Sequence, residues 1–188
     1  MAKRKQKNIF TGIDYETKAK SKATTVDGVP VFCSHDEIIN IEKVIPNPKN
    51  PNHHPKDQIE LLGGIIESTG WRQPITISNR SGFIVKGHGR LMAAAFKGWK
   101  QVPVDYQEYA SEAEEWADLI ADNRLAELST IDNDRIVDLI NDMDSGEIPV
   151  ELTGYTEEDI ASIIASLEGA DDTLDDKADA ITQGQNIP

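Results

Sequence analysis

Hydrophobic positions change their period along the chain, and the changes mark out the elements. Between Lys56 and Gly70, Ile59, Leu62 and Ile66, flanked by Leu61 and Ile65, lie on one helical face, and Gly70 is placed to end the helix. The next run, Pro74-Ile75-Thr76-Ile77-Ser78, alternates as a strand does. Asn79-Arg80-Ser81-Gly82 supplies turn chemistry, and Phe83 to Lys86 reads as the returning strand. Leu91, Ala94, Ala95 and Gly98 then recur at i, i+3, i+4 and i+7, predicting a second helix that follows the strand after Gly87-His88-Gly89-Arg90. Val102-Pro103-Val104 predicts another strand, expected at a sheet edge because proline has no N–H. Upstream, Ile38 to Ile45 is apolar enough for a strand or a short helix and stops at Pro46-Asn47-Pro48.

Downstream the pattern becomes helical throughout. Ser111-Glu112-Ala113-Glu114 matches a capping box, and Trp116, Leu119, Ile120 and Asn123 keep to one face of a helix running to about Leu128. Asp132 is placed to cap a helix carrying Ile136, Leu139, Ile140 and Met143, and Thr156 with Asp159 to cap one carrying Ile160, Ile163, Ile164 and Leu167. Residues 1–28 lack apolar periodicity and predict a basic flexible arm, with order expected to begin near Val29. The organisation that follows is an α+β domain over 29–128, an acidic helical extension over 129–168 and an acidic disordered tail over 169–188.

Charge separates along the same boundaries. Residues 1–104 hold 16 Lys and Arg against 9 Asp and Glu, whereas residues 105–188 hold 3 against 24. An acidic surface repels phosphate backbones, so any DNA contact is expected to be weak and to belong to the amino-terminal half. No run of about 18 apolar residues predicts a membrane span, and the first residues show no apolar signal-peptide core. The single cysteine, Cys33, offers no internal disulfide and fits a reducing compartment. The expectation is a soluble cytoplasmic protein.

The candidate chemistry centres on Gly87-His88-Gly89-Arg90. A glycine turn between a strand and a helix N-terminus brings unpaired N–H groups and the positive end of the helix dipole together, and Arg90 can fork onto an oxyanion there. The same glycines also suit a tight turn with no ligand. Asn123 is polar on an apolar helix face and needs a hydrogen-bond partner. With Asp122 and Arg124 it offers a carboxylate, an amide and a guanidinium for Mg²⁺ and phosphate oxygens, or it is a buried amide tying down a loop. Trp71-Arg72-Gln73-Pro74, at a helix-to-strand junction, is either core or a surface for a base or ribose. His35, His53, His54 and His88 show no spacing suited to zinc, and Walker-type, nucleophile-elbow and dinucleotide motifs are absent from the sequence.

Taken in order, Ile45-Pro46-Asn47-Pro48 with Asn52 and His54, Gly70 to Ile75, Ile84 to Leu91, and Val102-Pro103-Val104 resemble the ParB amino-terminal domain of the ParB/sulfiredoxin superfamily. Asp122-Asn123-Arg124 resembles that family's third box, and the likeness spans about residues 38–127. It is nearest to phage-type ParB-like proteins, often labelled ParB-like nuclease domains and often found beside a DNA methyltransferase. The resemblance implies a small mixed sheet with helices, a site in which Gly87 to Arg90 wraps the phosphates of CTP, and an acidic-Asn pair, Asp122 and Asn123, that assists Mg²⁺ and hydrolysis, while Gln73 and Arg124 are nucleotide- and phosphate-binding candidates on their own chemistry. The chain departs from the pattern in two boxes: His88-Gly89-Arg90 replaces Glu-Arg-Arg, and Asp122-Asn123-Arg124 replaces Glu-Asn-x-Gln-Arg. His88 also stands where sulfiredoxins carry their catalytic cysteine, which excludes sulfinic-acid reduction.

The reading that joins these strands is a nucleotide-binding accessory protein of CTP or ATP type, acting around phage or prophage DNA in a bacterial host, with a DNA methyltransferase as partner and self-association left open. A metal-dependent DNase and a non-catalytic interaction module are the alternatives. No compact carboxylate cluster suited to two-metal chemistry is evident in the sequence.

Overall fold

The computed structural model describes residues 5–7, 14–16, 24–143 and 149–167; for residues 5–7 and 14–16, and for Asn123 and Ala126, it describes the backbone alone. The tail expected over 169–188 and most of the arm expected over 1–28 lie outside the described residues. Strand β1 (Lys5–Lys7) pairs antiparallel with β2 (Asp14–Glu16), Lys5 opposite Glu16. A second hairpin joins β3 (Thr24–Val26) to β4 (Val29–Val31) through Asp27 and Gly28, both at positive φ, 48° and 85°. An Asp-Gly pair between short β-branched runs is a strong signal for a two-residue hairpin. Among the described residues, packing already includes the β3 strand ahead of Val29: Val26 is 4% exposed, and the Asp27 carboxylate accepts the N–H groups of Lys100 at 2.6 Å and Gln101 at 2.8 Å.

The central sheet has the order β5 (Glu37–Asn40), β8 (Gln101–Gln107), β6 (Ile75–Ser78), β7 (Ile84–Lys86). Its β8–β6 pair is parallel and the others are antiparallel. The expected edge position of Val102-Pro103-Val104 is corrected here, because β8 lies between two strands. Its parallel ladder with β6 begins at Ile75 opposite Val104. Pro103 falls one position earlier, and in the antiparallel ladder with β5 it stands opposite Ile38, between the hydrogen-bonded pairs that the Ile41 N–H to Lys100 O bond sets at every second residue, so its missing N–H removes no rung. The apolar run after Asp36 resolves into β5 and one 3₁₀ turn, Ile41–Lys43.

Helices α1 (Lys56–Thr69) and α2 (His88–Lys97) pack against each other beside this sheet. The core is closed by Ile75, Ile84, Val102 and Val104, all at 0% exposure. Trp71, 1% exposed, tilts against Trp99 with ring centroids 5.7 Å apart, so Trp71 belongs to the core and not to a ligand surface. Helix α3 (Glu112–Glu127) packs on β7, with Ser111 Oγ accepting the Glu114 N–H and the Glu114 carboxylate returning to the Ala110 N–H. Helix α4 (Asn133–Met143) follows, capped by Asp132 through the Arg135 N–H. Residues 157–167 are helical, and Thr156 and Asp159 exchange capping hydrogen bonds. The architecture is α+β, a small mixed sheet with helices.

Candidate functional site: the mouth of helix α2

Strand β7 ends at Lys86, and one residue turns the chain into α2. Gly87 sits at φ 97° and ψ 26°, in the left-handed region where a side chain is strained. No side chain caps α2. Its first rung is Leu91 N–H to Gly87 O, 3.0 Å, so the N–H groups of His88, Gly89 and Arg90 have no acceptor within the helix. A cavity of about 160 Å³ opens over this turn, lined by Asn52, His54 and Leu62 on one side, by Lys86 to Arg90 below and by Asp122 above. It continues into a shallower groove of about 260 Å³ that shares Lys86, Arg90 and Asp122 and adds Gln73, Pro74, Thr76 and Asp105.

Arg90 is the pivot of the two spaces. Its Nη1 donates to Gln73 Oε1 at 2.7 Å, while its buried Nε has no hydrogen-bond partner. The side chain folds back over the turn, so that a Cβ on Gly87 would lie 2.8 Å from Nη2. Burial lowers the guanidinium pKa below its ordinary value, with Asp122 and Cys33 acting in the opposite sense. A cation desolvated in this way, beside free backbone N–H groups, favours an anion that can satisfy both.

His88 points the other way. It is 9% exposed, and its Nε2 accepts the Asn47 N–H at 3.2 Å, which places the ring proton on Nδ1. Burial, reinforced by His54, brings its pKa down to about 4, so the ring is neutral at pH 7. It anchors the Pro46-Asn47-Pro48 loop to the start of α2. His54 roofs Gly89, where a Cβ would meet its ring at 3.3 Å, and is steadied by Gln58 Oε1 at 3.0 Å.

The far wall comes from α3. Lys86 Nζ lies 2.9 Å from Asp118 Oδ1 and 3.9 Å from Asp122 Oδ1. Burial opposes ionisation of Asp118, yet Lys86 and the Tyr109 hydroxyl, 2.8 Å away, hold its carboxyl below the usual range. Tyr109 is pushed up in turn by burial and by Asp118. Lys86 is thus largely offset by its own carboxylates, and Arg90 is the cation turned to the cavity.

The structure brings Gly87, His88, Gly89, Arg90 and Asp122 around one cavity and joins Gln73 to it through Arg90. Arg124 is exposed, pairs with Glu127 at 2.7 Å and lines neither space. Asn123 follows Asp122 on α3, with its side chain outside the described residues. Asp118 and Gln58 support the site from outside the motifs, and Lys86 lies within the Ile84 to Leu91 motif without a role assigned to it there. The i, i+4 spacing of Asp118 and Asp122 was their visible signal. Among the described residues no group of three His, Cys, Asp or Glu is arranged to hold a metal ion, and no helix is long and apolar enough to cross a membrane.

No protein-family profile matches the chain. Among curated proteins it is similar to the ParB-like nuclease domain-containing protein YnaK of Escherichia coli K12, 34% identical over 64 residues that make up 34% of this chain and 72% of the relative. Among solved structures it is similar to the C-terminally truncated chromosome-partitioning protein ParB of Caulobacter crescentus complexed with CTP-gamma-S, with a TM-score of 0.49 and 24% identity, covering 68% of this chain and 69% of the other. A Pnob8-like ParB-N domain aligns with a TM-score of 0.40 and 17% identity, over 76% of this chain and 51% of the other.

Proposed function

The chain belongs to the ParB-like family, and from that membership and the geometry around Arg90 we propose that it binds a nucleoside triphosphate with its phosphates at the mouth of α2. The single observation that carries this reading is the partly buried Arg90 guanidinium. Its Nε has no partner, and it stands beside helix N–H groups that have no intrahelical acceptor. Those donors match the oxygens of a phosphate chain, and glycine at 87 and 89 lets the Arg90 guanidinium and the His54 ring close over the turn. The groove past Gln73 and Pro74 leaves room for the sugar and base.

Mg²⁺ suits the same reading. It takes oxygen ligands and is commonly held by one or two carboxylates together with the substrate's phosphates. Asp122, exposed at the rim of both spaces, is the residue placed to contribute one. When bound, the ion would offset the phosphate charge that the Asp118–Asp122 wall otherwise repels.

In this reading the protein serves as a nucleotide-responsive accessory factor near phage or prophage DNA, with the basic amino-terminal half approaching the duplex and a DNA methyltransferase as partner. A metal-dependent DNase is the second reading, favoured by the nuclease-domain name of the Escherichia coli relative. It would require Asp118 and Asp122 to hold a cation in place of Lys86. A thermal-shift panel of the four ribonucleoside triphosphates, with and without Mg²⁺, tests the first reading. Stabilisation by at least one of them, greater with Mg²⁺, is expected, and no response at millimolar nucleotide overturns it. Incubation of plasmid DNA with Mg²⁺ or Mn²⁺ in the same buffer tests the second.

A further inference from the structure

The carboxylate of Glu115 is 2% exposed, although glutamate is among the residues least often buried. Its Oε1 accepts the Ser81 hydroxyl at 2.7 Å, its Oε2 accepts the Ser78 hydroxyl at 2.9 Å, and Arg80 Nη1 approaches to 3.8 Å. The two hydroxyl oxygens are themselves acceptors. Ser78 Oγ receives the N–H groups of Arg80 and Ser81, and Ser81 Oγ receives that of Phe83. With backbone donors on the oxygens, both hydroxyl protons are directed at the carboxylate, and the chain of donors ends on one ionised acceptor. The β6–β7 turn is therefore built to receive an anion from α3.

That anion fixes more than the turn. Asp118 and Asp122 follow Glu115 by three and seven residues, so all three carboxylates share one helix face. Glu115 meets the β6–β7 turn and the other two meet Lys86, at the opposite end of β7. Apolar packing holds the rotation of α3 through few contacts: among its described side chains Leu119 is buried and Trp116 half-buried, whereas Ile120 and Leu125 are 58% and 67% exposed. We propose that Glu115 is a positioning residue: by locking α3 to the β6–β7 turn it sets the helix rotation that clamps Lys86 between Asp118 and Asp122 at the rim of the cavity. The functional consequence rests on the nucleotide reading: with Lys86 clamped, phosphate binding is left to Arg90 and the α2 amides and calls for Mg²⁺.

The test is native-state acetylation of lysines in the full chain, read by mass spectrometry, for wild type, Glu115→Gln, Glu115→Ala and the directly unclamped Asp118→Asn. Lys86 is expected to label several-fold faster in all three variants, while Lys97, paired with Glu67 at the last turn of α2, keeps its rate. If Glu115→Ala fails to fold, Glu115→Gln carries the test. Unchanged Lys86 labelling in a folded variant overturns the proposal, as does equal acceleration of Lys86 and Lys97, which marks general loosening. A parallel titration with tripolyphosphate lacking Mg²⁺ should show tighter binding by Glu115→Gln and Asp118→Asn than by wild type. If no form binds tripolyphosphate either with or without Mg²⁺, the nucleotide reading fails, and the labelling still decides the role of Glu115.

Discussion

Arg90 and Gly87 are fitted to one another: the guanidinium lies so close over the glycine that a Cβ there would stand 2.8 Å from Nη2 and 3.0 Å from Nε. Gly87→Ala therefore acts twice. It places a side chain at φ 97°, at a cost of about 1–2 kcal/mol for left-handed backbone, and it drives the guanidinium off the turn. Denaturant unfolding should show the first loss. Nucleotide titration of the folded fraction should show a further loss of affinity, and unaltered binding would mean that Arg90 does not need this placement.

His88 gives the fold an acid limit. Its folded-state pKa, about 4, lies below the ordinary value of 6.5, because burial disfavours the imidazolium and His54 stands nearby. The unfolded chain takes up the proton first as the pH falls. This contribution is therefore whole above about 6.5 and declines progressively towards 4. Unfolding midpoints measured across that window should fall for wild type, and the His88-dependent part of the slope should vanish in His88→Gln.

Asn123 separates a structural amide from a site amide. If it only satisfies a buried partner, Asn123→Ala lowers apo stability by about 1–3 kcal/mol and leaves the affinity of the folded protein intact. The expectation for a shared site is the reverse: little change in apo stability, weaker Mg²⁺-dependent binding, and non-additivity with Arg90→Ala. Additive effects on affinity would remove Asn123 from the site.

DNA binding should be weak and governed by salt. Residues 1–22 carry seven Lys and Arg, and each phosphate neutralised contributes about 0.9 to the slope of log affinity against log salt. Deleting them should lower both affinity and slope in a fluorescence-anisotropy titration. Tight binding that survives the deletion at high salt would assign DNA contact elsewhere.

The cavity floor was legible in the sequence because its chemistry is local. A strand, a Gly-x-Gly turn and a helix face occur within residues 83–98, and backbone geometry turns that order into a mouth with free donors. The hairpin at Asp27-Gly28 was equally local, yet the Lys, Thr and Ser content of residues 1–28 concealed it. Pro103 reads as an edge residue because the rule concerns a missing rung, yet it lies one residue before the β6 ladder and at a non-hydrogen-bonded position opposite Ile38. The walls were not legible: Lys86 meets Asp118, and Ser78 meets Glu115, across 32 and 37 residues, pairings fixed only when α3 packs on β7. Arg124 shows the converse, a residue adjacent to the site in sequence whose helix turns it towards Glu127.

Phosphate binding by the Arg90 guanidinium, whose Nη1 holds Gln73 and whose Nε has no partner, is read by calorimetric titration of wild type and Arg90→Ala with the Mg²⁺ complex of the best-stabilising nucleotide. Loss of a charge-assisted contact worth about 1.5–3 kcal/mol predicts binding about ten- to a hundredfold weaker in the variant, with the folded state retained. Equal affinity in the two proteins would contradict the account.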